Sequence, residues 1–314
     1  MTSVERVPYD EFSMFHENAE EFGLPYDGPP VVRREDVEVS PGRRLSALVW
    51  GESSPELVFL HGGAQNAHTW DTVALALDRP LVAIDLPGHG HSDGGLAGAL
   101  DPAANARDVA TVIRALAPDA RAVVGMSLGG VTSIALAALA PELVRSLVLV
   151  DITPGVDEHK AAGVMAFVNG PESFDSFDDL LARTIAFNPT RSESSLRRGI
   201  LHNAVQREDG SWVWRYARHR GLSADNQPGG GDDGAAPRHP EFGSLWDAVS
   251  GLTVPAMLVR GMAAGSVVDD ADEAELVRRC PQARVEHVAD AGHSVQGDQP
   301  VELARLIADF LAGS

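Results

Sequence analysis

The sequence predicts an α/β protein, a mostly parallel sheet with helices on its faces and one long, mainly helical insertion. Short apolar runs at residues 57–60, 81–84, 122–125 and 147–150 alternate with helical patterns at 67–77, 102–116 and 128–139. The rhythm resumes with apolar runs at 256–259 and 285–288 and helical patterns at 271–279 and 301–311. Strands that alternate with helices at this spacing form parallel sheets. Between residues 152 and 251 the alternation stops and aromatic and Arg-rich segments take over, which marks an inserted module.

Ahead of this frame, acidic residues alternate with Phe12, Met14, Phe15, Ala19 and Phe22 in a helix-like pattern closed by Gly23 and Pro25. Two strands over 31–39 and 43–50, joined at Ser40-Pro41-Gly42, then make an antiparallel entry to the sheet. Residues 122–140 carry no charge and imitate a membrane span, but Gly125, Gly129 and Gly130 divide them into a buried strand, a tight turn and a buried helix. Within the insertion, residues 223–237 are too polar and glycine-rich to offset their ordering entropy and read as a flexible loop. The organisation is then an N-terminal extension with the first strand (1–40), a core in two pieces (41–151 and 252–314) and a cap (152–251).

Composition narrows the function. Of 314 residues, 25 are Lys or Arg and 45 are Asp or Glu, a formal net charge of −20. Phosphate backbones and anionic lipid surfaces need a basic footprint, so neither nucleic acid nor membrane is an expected partner. The densest negative charge lies in the first forty residues. A lone cysteine, Cys280, excludes an internal disulfide framework, and no His-Glu-x-x-His pair or comparable cluster points to a metal or cofactor. The N-terminus has no basic, then apolar, leader, so a cytoplasmic protein is expected. The oligomeric state is not legible.

Three motifs carry chemistry. Gly125-Met126-Ser127-Leu128-Gly129 follows an apolar run and opens a helical stretch. A sharp strand-to-helix turn leaves no room for side chains at the two glycines and lifts the Ser127 hydroxyl out at the carboxyl end of the sheet, with the Leu128 N–H pointing to the same spot. A plain glycine-rich turn is the alternative. His61-Gly62-Gly63-Ala64 follows another strand and can supply a second oxyanion donor from Gly63 N–H; otherwise it is a turn with a structural His61. His293, in Ala289-Asp290-Ala291-Gly292-His293-Ser294 after the last strand, is the expected base for Ser127. His89 and His91 lie in a loop that reads as structural. Trp70 is either a core residue or a pocket wall.

These motifs, in this order, resemble those of the α/β-hydrolase-fold serine hydrolases that carry a cap, over about residues 30–151 and 252–314. The resemblance implies a Ser-His-Asp triad, an oxyanion hole at Gly63 and Leu128, and a small-molecule substrate. It also exposes a departure. The family usually places its acid shortly after the glycine that closes the seventh strand, but Gly261 is followed by Met262-Ala263-Ala264-Gly265-Ser266, without a carboxylate. Some members carry the acid after the sixth strand, which here ends in Asp151; Asp269 is the alternative. Ser127 argues against epoxide hydrolases and haloalkane dehalogenases, which need a carboxylate at the elbow. In the cap, Trp212 and Trp214 alternate with Val213 on a face that lines a substrate site or packs a small strand. Arg215, Arg218, His219 and Arg220 either hold a substrate carboxylate or form a solvated face. The expected activity is cofactor-independent hydrolysis of a small to medium ester, a lactone or an activated C–C bond. A binding protein on the same scaffold, or a lyase using His293, are the rivals.

Overall fold

The computed structural model describes residues 6–94, 101–216 and 242–313. The strands are β1 (Val32–Ser40), β2 (Arg43–Trp50), β3 (Leu57–Leu60), β4 (Leu81–Ile84), β5 (Ala122–Met126), β6 (Leu147–Val150), β7 (Ser173–Phe174), β8 (Ala204–Gln206), β9 (Trp212–Trp214), β10 (Ala256–Gly261) and β11 (Arg284–Val288). Eight of them form the main sheet in the order β1-β2-β4-β3-β5-β6-β10-β11. It is parallel from β4 to β11, with β1 and β2 as the antiparallel entry. The other three make a small sheet, β7-β9-β8, inside the insertion.

The helices are α1 (Phe15–Phe22), α2 (Asp71–Leu77), α3 (Pro102–Leu116), α4 (Leu128–Leu139), α5 (Ala162–Val168), α6 (Phe177–Phe187), α7 (Glu193–Asn203), α8 (Leu245–Ser250), α9 (Asp270–Arg279), α10 (Val295–Asp298) and α11 (Pro300–Ala312). The helix expected over 67–77 opens as a 3₁₀ turn, Ala67–Trp70, capped by the Asn66 side chain, which accepts from His68 N–H. The pattern that begins at Asp10 becomes helical only at Phe15. Residues 122–140 divide into β5 and α4, and no helix among the described residues is long and apolar enough to cross a membrane. The loop expected at 223–237 lies outside the described residues.

Side-chain alternation along the central strands fills two cores. Val58 and Leu60 of β3, Val123 of β5 and Leu147 and Leu149 of β6 face one core with α3 and α4. Leu57 and Phe59, Val124 and Met126, and Val148 and Val150 face the other, with α2 and α11. Period-2 geometry requires this split when both faces are covered. α8 packs Val249 into the same core as α4.

Register places the functional loops together. Leu60 is level with Gly125, Gly125 with Leu149, and Val150 with Val259. The chain therefore leaves β3, β5, β6 and β10 at one edge of the sheet, the carboxyl edge where sites on such sheets are built.

Close approach of α4 to the strands depends on glycine. A Cβ at Gly129 would lie 2.2 Å from the Leu60 carbonyl oxygen, and one at Gly125 would lie 2.5 Å from the Gly129 oxygen. Both obstacles are buried backbone. Gly129→Ala is expected to destabilise the protein by about 1–3 kcal/mol, as overpacking does. Gly163→Ala on α5, where a Cβ meets nothing within 4 Å, is expected to be neutral or stabilising by up to about 1 kcal/mol. Urea unfolding of the two variants checks this; equal effects would contradict the packing account.

Candidate active site

Ser127 stands between β5 and α4 with φ 50° and ψ −116°. A side chain rarely adopts this backbone region, at a cost of about 1–3 kcal/mol. The turn is held because the Ser127 carbonyl accepts from Gly130 and Val131 N–H, and the Ser133 hydroxyl donates to the Gly129 carbonyl at 2.7 Å. Asp151, at the end of β6, also has a positive φ, 47°.

The loop after β3 is pinned at several of its polar groups. Gly62 N–H donates to Gln65 Oε1 at 3.1 Å, and Ala64 N–H donates to His89 Nε2 at 3.1 Å. The Ala64 carbonyl accepts from Asn203 Nδ2 at 2.7 Å. Gly63 N–H and Leu128 N–H, by contrast, donate to no described group. His61 and His89 act as loop braces: each donates from Nδ1 to a carbonyl and accepts a backbone N–H at Nε2. Burial pushes the His61 pKa down, in keeping with a neutral ring.

His293 Nδ1 lies 2.9 Å from Asp151 Oδ2. The Asp151 carboxylate has no solvent exposure and accepts three further hydrogen bonds, from Gly261 N–H (3.0 Å), the Ser266 hydroxyl (2.7 Å) and Val267 N–H (3.0 Å). The loop that lacks a carboxylate thus supplies donors to one. Ser266 was not singled out from the sequence; the absence of an acid after Gly261 is the signal that points to it, since a buried acid elsewhere needs donors. Asp269 is placed differently. It is the N-cap of α9, accepting from Asp272 N–H at 2.9 Å, and it pairs with Lys160 at 2.9 Å.

Ser127, Gly63 and His293 line one cavity of ≈ 590 Å³. Asp151 sits behind His293, and the Leu128 side chain enters the core. The apolar wall is Phe22 from α1, with Val164, Phe167, Phe187 and Trp214 from the insertion. Of the three tryptophans singled out in the sequence, Trp214 lines the cavity, and Trp212 and Trp70 do not. Trp212 is buried against Phe177 in the insertion's own core, because alternate residues of a strand point to opposite faces. Trp70 is 1% exposed and packs on Phe59 in the main core. Arg218, His219 and Arg220 lie outside the described residues.

A buried charge network reaches the cavity through His68, Asp71 and His202. His68 Nδ1 is 2.8 Å from Asp71 and its Nε2 is 3.1 Å from Glu11, which also meets Arg34. Burial opposes a charge on His68, but Asp71 and Glu11 together outweigh it and carry the pKa up to about 9. Burial likewise pushes Asp71 upward, against the pull of the His68 cation. Glu11, despite burial, is held down at about 2 by its bonds to His68 and Arg34. His202 stacks on His68 with centroids 3.7 Å apart, and burial followed by the His68 charge drives it well below the ordinary imidazole range. One ring of the stack is therefore charged and the other neutral.

Comparison with known proteins finds relatives over nearly the whole chain. The family model for the alpha/beta hydrolase fold matches residues 55–300. The chain is 44% identical over 309 residues to esterase Rv0045c of Mycobacterium tuberculosis, covering 96% of each chain. A solved structure of that esterase superposes with a TM-score of 0.82, covering 98% of this chain and 100% of that one. 2-(Acetamidomethylene)succinate hydrolase of Mesorhizobium japonicum is 29% identical over 268 residues, 82% of this chain and 88% of that one.

The His68 pair fixes a pH dependence. Its folded pKa of about 9 exceeds the ordinary imidazole value of 6.5, so between these values the folded state holds a proton that the unfolded state releases, and stability falls as pH rises. Thermal unfolding midpoints measured from pH 6.5 to 9 are expected to drop more steeply for the wild type than for His68→Gln. Parallel profiles would contradict a charged His68.

Proposed function

We propose, from the premise that this chain belongs to the α/β-hydrolase-fold family, that it is a serine hydrolase cleaving small to medium esters through an acyl-enzyme. The carrying observation is the meeting of Ser127, His293 and the uncommitted Gly63 N–H in one cavity, with Asp151 bonded behind the histidine. The 44% identity to an esterase over nearly the whole chain supports the same reading.

In this reading Asp151 accepts from His293 Nδ1–H and so leaves Nε2 as the acceptor. His293 takes the Ser127 proton as Oγ attacks the substrate carbonyl. Negative charge then develops on the carbonyl oxygen, where Gly63 and Leu128 N–H, having no competing partner, donate to it at the amino end of α4. Collapse expels the alcohol with the proton returned by His293, and water repeats the sequence on the acyl-enzyme. Lactones and activated C–C bonds are open to the same attack. Residues 152–251 act as the cap, since the insertion supplies most of the apolar wall facing Ser127.

A fluorophosphonate probe and p-nitrophenyl butyrate test the roles. Ser127→Ala is expected to abolish labelling and to lower kcat by about 10⁴- to 10⁶-fold. Asp151→Asn is expected to lower kcat by about 10⁴-fold and Asp269→Asn by less than about threefold. Ester hydrolysis by Ser127→Ala at the wild-type rate would overturn the reading.

A further inference from the structure

Among the described residues, three Lys or Arg side chains line the cavity that holds Ser127 and His293: Lys160, Arg198 and Arg191. Two of them carry their own counter-charges. Lys160 pairs with Asp269 at 2.9 Å and Asp272 at 2.7 Å. Arg198 bonds Asn18 at 2.8 Å and pairs with Glu17 and Glu21 of α1.

Arg191 has no such partner. Its single side-chain hydrogen bond runs from Nη2 to the Ser195 hydroxyl at 2.6 Å. Its Nε is sealed from solvent and unpaired, and among the described residues no carboxylate lies within 4.0 Å of it. Asp298 and Glu21 act on it only from longer range. The guanidinium lies across the bare Cα of Gly297, where a side chain would begin 2.9 Å from Arg191 Cζ. Gly297 belongs to α10, which starts directly after His293 and Ser294. An unpaired cation is thus held beside the histidine loop, and glycine makes the space for it.

Arg191 is half-buried; its sealed Nε has lost water without gaining an acceptor, and the guanidinium has one hydrogen bond, to Ser195, and no counter-charge in exchange, which destabilises the empty protein. The planar fork is suited to carboxylate or phosphate oxygens. We propose that Arg191 is the specificity residue that receives a free carboxylate of the substrate, so that the preferred esters carry a second, unesterified carboxyl group. This rests on the reading of Ser127 and His293 as the hydrolytic pair. A carboxylate is favoured over a phosphate dianion because one unpaired guanidinium balances one negative charge, and Asp298 in the same cavity repels a second.

The test compares monoethyl adipate, ethyl hexanoate and ethyl 6-phosphonooxyhexanoate by proton release, in the wild type, Arg191→Met and Arg191→Lys. The wild type is expected to favour monoethyl adipate over ethyl hexanoate by about 10- to 100-fold in kcat/KM, the range of a charge-assisted hydrogen bond, with most of the difference in KM. Arg191→Met should close that gap by losing far more on the adipate ester, and Arg191→Lys should restore part of it. Adipate should raise the Tm of the wild type but not of Arg191→Met, whose own Tm should be no lower than that of the wild type. Equal wild-type rates on the two carbon esters, equal losses on both in Arg191→Met, or preference for the phosphate ester would overturn the proposal. Failure of the hydrolase reading is distinct: no ester turns over and Ser127 resists the fluorophosphonate. In that case the adipate Tm shift alone decides whether the anion site exists.

Discussion

One carboxylate without contact with water, that of Asp151, ties together the ends of three strands. Its backbone N–H bonds the Val259 carbonyl of β10 at 2.8 Å, and its side chain reaches Gly261, Ser266 and Val267 beyond β10 and His293 beyond β11. A buried carboxylate must find donors or lose its charge, and here the loops that provide them are the loops that define the site. The positive φ values of Ser127 and Asp151 are the local strain that this arrangement sustains. Because β5 and β6 are in register at Met126 and Val150, the serine and the acid emerge at the same level and on adjacent strands.

The acidity of the chain acquires a structural meaning at the N-terminus. Glu11 meets Arg34 and His68 of the core, whereas Glu17 and Glu21 meet Arg198 of the insertion. Residues 1–40 therefore do more than add negative charge for solubility: Glu17 and Glu21 of α1 are the counter-ions of the buried Arg198, Glu11 adds a carboxylate to the Arg34–Asp85 and His68–Asp71 pairs, and Phe22 of α1 closes part of the cavity wall. Lys160, bonded to Asp269 and Asp272, ties the insertion to α9 on the opposite side. Most cations at the cavity are neutralised before substrate arrives, which leaves Arg191 conspicuous.

The parts of the fold that were legible in the sequence are those in which local sterics leave a mark at fixed spacing. Gly125 and Gly129 are readable because a helix crossing a strand at contact distance admits no Cβ, and the strand-helix rhythm is readable because burial on both faces demands short, wholly apolar strands. The Ser127 and His293 loops followed from that frame. What could not be read depends on tertiary choices. Nothing local distinguishes Asp151 from Asp269, since both end an apolar run; only the paths of the chain at the ends of β10 and β11 give one four donors and leave the other a helix cap. The same holds for Trp212 and Trp214, whose faces are set by the partner strands β7 and β8. Arg191 looks in sequence like any surface arginine, because Gly297, against which its guanidinium lies, is about a hundred positions later.

The bond between His293 Nδ1 and Asp151 is the claim on which the rest turns, and proton NMR observes it directly. A histidine N–H held by a buried carboxylate resonates far downfield of ordinary amides, and His293→Gln assigns the signal. The account predicts a resonance that is present in the wild type and in Asp269→Asn and lost in Asp151→Asn. Its survival in Asp151→Asn, or its disappearance in Asp269→Asn, would contradict it.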